Sequence, residues 1–215
     1  MSDSEIPSLA SDLPSDSSGK QIHIAGAGTT GMAILIVSLS MLFIASMVAY
    51  ITIRMQTELR LRAAGHTITW PPPGTPAIPS TLWISTFVIL LTSVTIQLAL
   101  NAIRRDNRKA VLRNLYITSA LGLVFLALQT LNWWEFYSAL HPGTTIGGAY
   151  LGMFYVLTGL HAAHVIGGLV PLAIVTVRAS KGAYSRNFHP GIRYSTIYWH
   201  FLDAIWIVLF CVIYF

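Results

Sequence analysis

Residues 142–177 read PGTTIGGAYLGMFYVLTGLHAAHVIGGLVPLAIVTV, a run with no Asp, Glu, Lys or Arg and with two histidines, His161 and His164, inside it. About 20 apolar residues of helix cross the hydrocarbon core of a bilayer, and this run is longer than that. A second run, Tyr194–Phe215, is as apolar and encloses His200 and Asp203. An ionisable side chain at the centre of a bilayer costs roughly 2.5–3.5 kcal/mol on insertion scales, so such groups face protein and not lipid. These four residues are the first candidates for function.

The rest of the chain has the same character. Of 215 residues, 54% are hydrophobic and 10% charged, with a mean hydropathy of +0.62. A soluble domain carries about 25% charged residues, so the composition is that of a membrane protein. The net charge of +5 sits in short segments between apolar runs and not in a basic patch, which excludes nucleic-acid binding. Cys211, the one cysteine, cannot form an intrachain disulfide.

Uncharged apolar runs predict five transmembrane helices, at about 25–51, 80–103, 114–134, 148–177 and 194–215. The runs are continuous and not alternating, which excludes a β-barrel. The fold class is an all-α integral membrane protein, with residues 25–215 forming one membrane domain. Residues 1–24, rich in Ser, Asp and Pro, read as a disordered cytoplasmic tail and not as a signal peptide. Trp70-Pro71-Pro72-Pro73-Gly74 cannot continue a helix, so 52–79 reads as a loop.

Orientation follows from the basic residues. With the N-terminus inside, Lys20, Arg104, Arg105, Arg108, Lys109, Arg113, Arg178, Lys181, Arg186 and Arg193 are cytoplasmic. Arg54, Arg60 and Arg62 are outside. Ten against three predicts the N-terminus inside and the C-terminus outside.

Helix four predicts its own packing. Gly159, Ala163 and Gly167 recur every four residues and would let another backbone approach, and Pro171 favours a bend. Thr158, His161 and Val165 share one face, with His164 one turn on. On helix five, His200 and Asp203 stand at i, i+3, where they can share a hydrogen bond. Helix three adds Gln129 and Asn132, with Glu135 at its outer end. Three uses are open for these groups: haem or metal ligation, proton relay, or hydrogen bonding between helices. Depth argues against one iron held by both helices, since His161 lies roughly 24 Å from the inner end of helix four and His200 roughly 9 Å from that of helix five. A copper or zinc site needs three or four converging ligands, so no metal or cofactor site is expected in this chain. Proton relay and structural hydrogen bonding remain.

The wording of two helices is more specific. Phe154-Tyr155-Val156-Leu157-Thr158-Gly159-Leu160-His161-Ala162-Ala163-His164-Val165-Ile166-Gly167-Gly168 resembles the signature of subunit III of the haem–copper cytochrome c oxidases. Tyr198-Trp199-His200-Phe201-Leu202-Asp203-Ala204-Ile205-Trp206 is similar to that family's final helix. Gly31-Met32, the Trp70–Gly74 loop, and Leu121-Gly122 with Phe125-Leu126 and Gln129 also fit. The resemblance covers nearly everything after the tail and is closest to the bacterial five-helix form.

That resemblance implies an accessory, non-redox subunit of a proton-pumping aerobic terminal oxidase in the bacterial cytoplasmic membrane. It implies contact with subunit I, which reduces dioxygen, and with subunit II. Haem and copper would lie in those partners and phospholipid between the helices of this chain, with a larger respiratory supercomplex left open as a further assembly. Subunit III would stabilise subunit I and support its proton uptake. Two positions depart from the family pattern: Leu39 and Asn132 stand where members often carry a glutamate. A subunit of a nitric-oxide reductase complex therefore stays open. So do two free-standing alternatives, a proton channel or transporter and a haem-binding cytochrome.

Overall fold

The structure, a computed structural model, describes residues 17–65, 80–138 and 148–214. Its regular structure among those residues is entirely helical: α1 (Ser17–Ala63), α2 (Thr81–Arg104), α3 (Arg108–Ser138), α4 (Gly148–Ser180) and α5 (Pro190–Tyr214). All five are long and apolar enough to cross a membrane. The five expected spans are therefore present.

Apolar runs locate the membrane, but helices end where their backbones are capped, so the boundaries differ. The largest difference is α1, which extends the expected 25–51 to 17–63. Its polar extension Thr52–Ala63 has no proline or glycine and carries an Arg54–Glu58 ion pair at 3.5 Å, the helical i, i+4 spacing. The helix stops before Gly65, whose φ of +75° suits glycine. Much of the segment read as a loop from Thr52 is therefore helix, and Trp70–Gly74 lies outside the described residues. So do residues 1–16 of the expected tail, while the helix already runs through 17–24.

The α2–α3 turn is built by backbone closure. Asp106 takes a left-handed φ of 54°, and the Asn107 amide donates back to the Ala102 carbonyl at 3.0 Å. Asn107 Oδ1 then accepts from the Ala110 amide at 3.1 Å and starts α3. At the other turn on this end, Gly182 (φ +75°) closes α4, and Pro190 opens α5 as its first helical residue.

Four helices form a ring. α2 packs on α3, α3 on α4, α4 on α5, and α5 returns to α2; α1 lies outside, against α4 and α5. Phe125, Phe154, Val165, Trp199, Leu202 and Trp206 fill the centre. Most of the α1 surface is exposed, including Ile34, Val37, Met41, Ile44 and Val48, while Phe43 and Tyr50 are buried against the ring. Neighbouring lipid tails are as apolar as these side chains, so burial alone does not select one helix pairing over another.

Close approach supplies part of the selection, but not at the expected stripe. Ala163 and Gly167 are exposed, and a Cβ on Gly159 would meet nothing nearer than Trp133 at 3.9 Å. The tight contact is one residue over. A Cβ on Gly168 would stand 2.7 Å from the Tyr198 ring of α5, and one on Gly122 would stand 2.9 Å from Trp199. The four-residue spacing marks a face of α4, and the face turned to α5 carries Gly168. Pro171 lies within α4, which is helical from Gly148 to Ser180.

These contacts separate two glycines. Gly168→Ala is expected to destabilise the protein in detergent by about 1–3 kcal/mol, as overpacking does. Gly31→Ala, where an added Cβ meets nothing within 4 Å, should be neutral or slightly stabilising. Thermal unfolding of the two variants checks the difference.

Candidate functional site

Intramembrane polar groups gather on two seams of the ring. The first joins α5 to α2. His200 Nε2 lies 3.1 Å from Gln97 Oε1, and His200 Nδ1 lies 2.9 Å from the Ser93 hydroxyl. Asp203 is buried and accepts from Ser93, with the Thr92 hydroxyl 3.2 Å from both of its carboxyl oxygens. Further along, the Trp206 indole donates to the Thr86 hydroxyl at 3.0 Å. As residue numbers rise on α5 they fall on α2, so an antiparallel pair is fastened over about two turns.

His200 and Asp203 are thus brought to one place, but Ser93 stands between them where a direct hydrogen bond was expected. Their i, i+3 spacing turns both side chains towards α2, and each reaches a different level of that helix. Thr86, Thr92 and Ser93 carry little signal in the sequence, because hydroxyls are common in membrane helices and usually bond their own backbone. Thr92 does that too, at 2.6 Å from the Ile89 carbonyl. The available signal was their position: Thr92 falls in the helical series Ser85, Ile89, Thr92, Ile96, all fully buried.

The second seam joins α3 to its neighbours. Trp133 donates its indole hydrogen to Thr158 at 3.0 Å, and Thr158 donates to the Phe154 carbonyl at 2.7 Å. The Tyr155 hydroxyl donates to the Trp133 carbonyl at 3.1 Å. Towards α2, Thr95 and Thr118 pair at 2.8 Å, Asn132 donates to Ser85 at 3.3 Å, and Thr81 donates to Glu135 at 2.9 Å. Asn132 is therefore a helix-to-helix donor here.

The α4 histidines differ from each other. His161 is fully buried among Phe43, Phe125 and Trp206, with the Trp206 ring 4.9 Å away. Its ring nitrogens have no protein partner among the described residues, and the same holds for both amide atoms of buried Gln129. His164 is half-buried, meets the Phe43 ring at a tilt with centroids 5.2 Å apart, and has Nδ1 2.7 Å from the Leu160 carbonyl. The Tyr198 hydroxyl donates to the His164 carbonyl at 3.0 Å. His161 stands level with Trp206, two helical turns or about 9 Å beyond His200. Among the described residues no three of His, Cys, Asp and Glu come together as a metal would require.

A cavity of about 520 Å³ lies between α1, α4 and α5. Met32, Leu35 and Leu39 line one side, His164 and Pro171 another, and Tyr194 and Tyr198 a third. Leu39 thus contributes an apolar wall. At the α1 end Tyr194 meets the Thr29 hydroxyl at 3.2 Å.

Five apolar helices joined by side-chain hydrogen bonds define the class: an all-helical, multi-pass membrane protein. The family model for cytochrome c oxidase subunit III matches residues 14–215. The chain is similar to a cytochrome c oxidase subunit 3 of Synechocystis sp., 30% identical over 98% of this chain and 86% of that one. It is also similar to that of Thermostichus vulcanus, 32% identical over 86% and 85%. Towards the subunit 3 of Latimeria chalumnae it is 37% identical over 67% of this chain, and it spans only about half, 54%, of that relative's length. The chain belongs to the cytochrome c oxidase subunit III family.

Two substitutions separate working from idle polar groups. Thr86→Val removes the acceptor of the Trp206 indole and should cost about 1 kcal/mol. Gln129→Met removes an amide that has no protein partner among the described residues and should cost nothing or stabilise. Reversible denaturation in mixed micelles measures both.

Proposed function

We infer that this chain is an accessory, non-redox subunit of an aerobic terminal oxidase, which braces the haem-bearing subunit I and supports its proton uptake. The observation that carries this reading is where the polar side chains go. Asp203, His200, Thr158, Asn132 and Glu135 each hydrogen-bond to a neighbouring helix or to a residue on one. Groups held in this way fix helices relative to one another, which supports a bracing role. Catalysis would then belong to subunit I, with subunit II beside it and haem and copper in those partners.

The orientation that goes with this function puts the N-terminus and the α2–α3 and α4–α5 turns in the cytoplasm of a bacterium, because ten of the thirteen basic residues fall on that side. The cavity between α1, α4 and α5 suits a phospholipid acyl chain. Its walls are largely apolar, and it lies towards the end of the bundle where Arg178 and Arg193 offer charge to a headgroup. Leu39 and Asn132, in place of acids, favour one related reading, a subunit of a nitric-oxide reductase complex; nitric-oxide turnover by the purified complex distinguishes it.

Purification through a tag on this chain tests the proposal. A haem-bearing larger subunit and phospholipid should copurify. Deleting the chain should leave the initial rate of oxygen consumption near normal and make it decay during turnover. His164→Leu should lower the yield of complex. A preparation with no haem-bearing companion, or a deletion that changes neither the persistence of activity nor the lipid content, contradicts it.

A further inference from the structure

Polar side chains at hydrocarbon depth are costly unless protein covers them, so those left open to the outside mark a face for a partner. Within the spans, Asn114, Gln129, Asn132 and His161 are buried, and half-buried His164 opens to the cavity beside α1. The outer edge of the α2–α5 seam is different. Ser93, Gln97 and Asn101 on α2 and His200 on α5 are all half-exposed there. The centre of the ring is filled and α1 does not pack on α2, so their exposed sides look outwards.

Two arginines show how deep this edge lies. Arg104 ends α2 and Arg193 stands at the start of α5, and both are exposed. Guanidinium groups reach for the interface, so the pair marks one boundary of the hydrocarbon. Gln97 and His200 each lie seven residues further in, roughly 10 Å by the helical rise. Lipid tails at that depth offer no hydrogen bond. Other outward faces of the ring are suited to lipid: Leu123 and Val124 on α3, and Val156, Ile166 and Val170 on α4.

The edge also has donors to spare. The amides of Gln97 and Asn101 own two N–H hydrogens each. Gln97 meets Asn101 at 3.3 Å and His200 at 3.1 Å. Those two contacts occupy at most two of the hydrogens, whichever way the amides are turned. A group that accepts hydrogen bonds therefore fits the edge. Room for one is present, because Ala204, one turn beyond His200 on the same face of α5, is exposed and small.

We propose that the outer edge of the α2–α5 seam is the face by which this chain docks on the haem-bearing subunit. The occupant is a transmembrane helix of that subunit, carrying an acceptor side chain to the level of Gln97 and His200. The inference deepens the accessory-subunit reading and rests on it. It gives the seam two sides: Asp203, Thr92 and Ser93 hold α5 to α2 within the chain, and the amides and the imidazole face outwards to the neighbour.

Photo-cross-linking in the intact complex tests this. A benzophenone amino acid at Ala204 or at Leu90, exposed on the α2 side of the edge, should link this chain to the haem-bearing subunit. The same probe at Leu123 or Val170 should not. Ala204→Trp adds apolar bulk that lipid accepts and a docked helix does not. Haem recovered with the tagged chain should be lost in that variant, while the amount of the chain in the membrane stays unchanged. Edge probes that link only to lipid, links to the haem-bearing subunit from Leu123 or Val170 alone, or full haem recovery with Ala204→Trp overturn the proposal. These outcomes differ from a failure of the accessory-subunit reading, in which no haem-bearing companion copurifies with the unmodified chain.

Discussion

The contact of Asp203 with the hydroxyls of Thr92 and Ser93 closes the ring of helices, and the rest of the arrangement depends on it. Inside a bilayer two apolar helices gain little by meeting, because lipid tails cover them as well. A buried carboxyl group is different: away from donors it is costly, so α5 has strong reason to set that face against α2. Once α5 is fixed there, Trp206 reaches Thr86, and the Trp199 and Trp206 rings fall into the centre of the bundle. The remaining seams, Trp133 with Thr158 and Asn132 with Ser85, then tie α3 into the same ring.

Much of this was legible in the amino-acid order. Five uninterrupted apolar runs define five helices, because a bilayer offers few other solutions for the backbone. Thr158, His161 and Val165 share a face by helical spacing, and all three are fully buried. Less legible was where α1 ends, since Thr52–Ala63 is polar yet still helical. Hydropathy measures affinity for lipid, whereas a helix end is decided by caps and glycines. The packing stripe leaves its partner unspecified for a related reason. Gly159, Ala163 and Gly167 share a face, but spacing does not say which face meets a neighbour, and Gly168 makes the close approach. The partners of His200 and Asp203 lie more than a hundred residues away in sequence, on α2. No local pattern pairs them.

Family membership gives these seams a setting. Leu39 and Asn132 serve packing and helix pairing here: one walls a cavity and the other donates to Ser85. Asp203 is a buried carboxyl group of α5 and is joined to an imidazole by a single serine.

A double-mutant cycle on Thr92→Val and Asp203→Leu, followed by reversible unfolding in micelles, reaches the central point most directly. If the carboxyl group of α5 is held by α2 as the geometry indicates, the two losses are strongly non-additive, coupled by more than the average of about 0.6 kcal/mol for side-chain hydrogen bonds between membrane helices. Losses that simply add would mean that Asp203 is stabilised by something other than this seam, and the ring of helices would then need a different explanation.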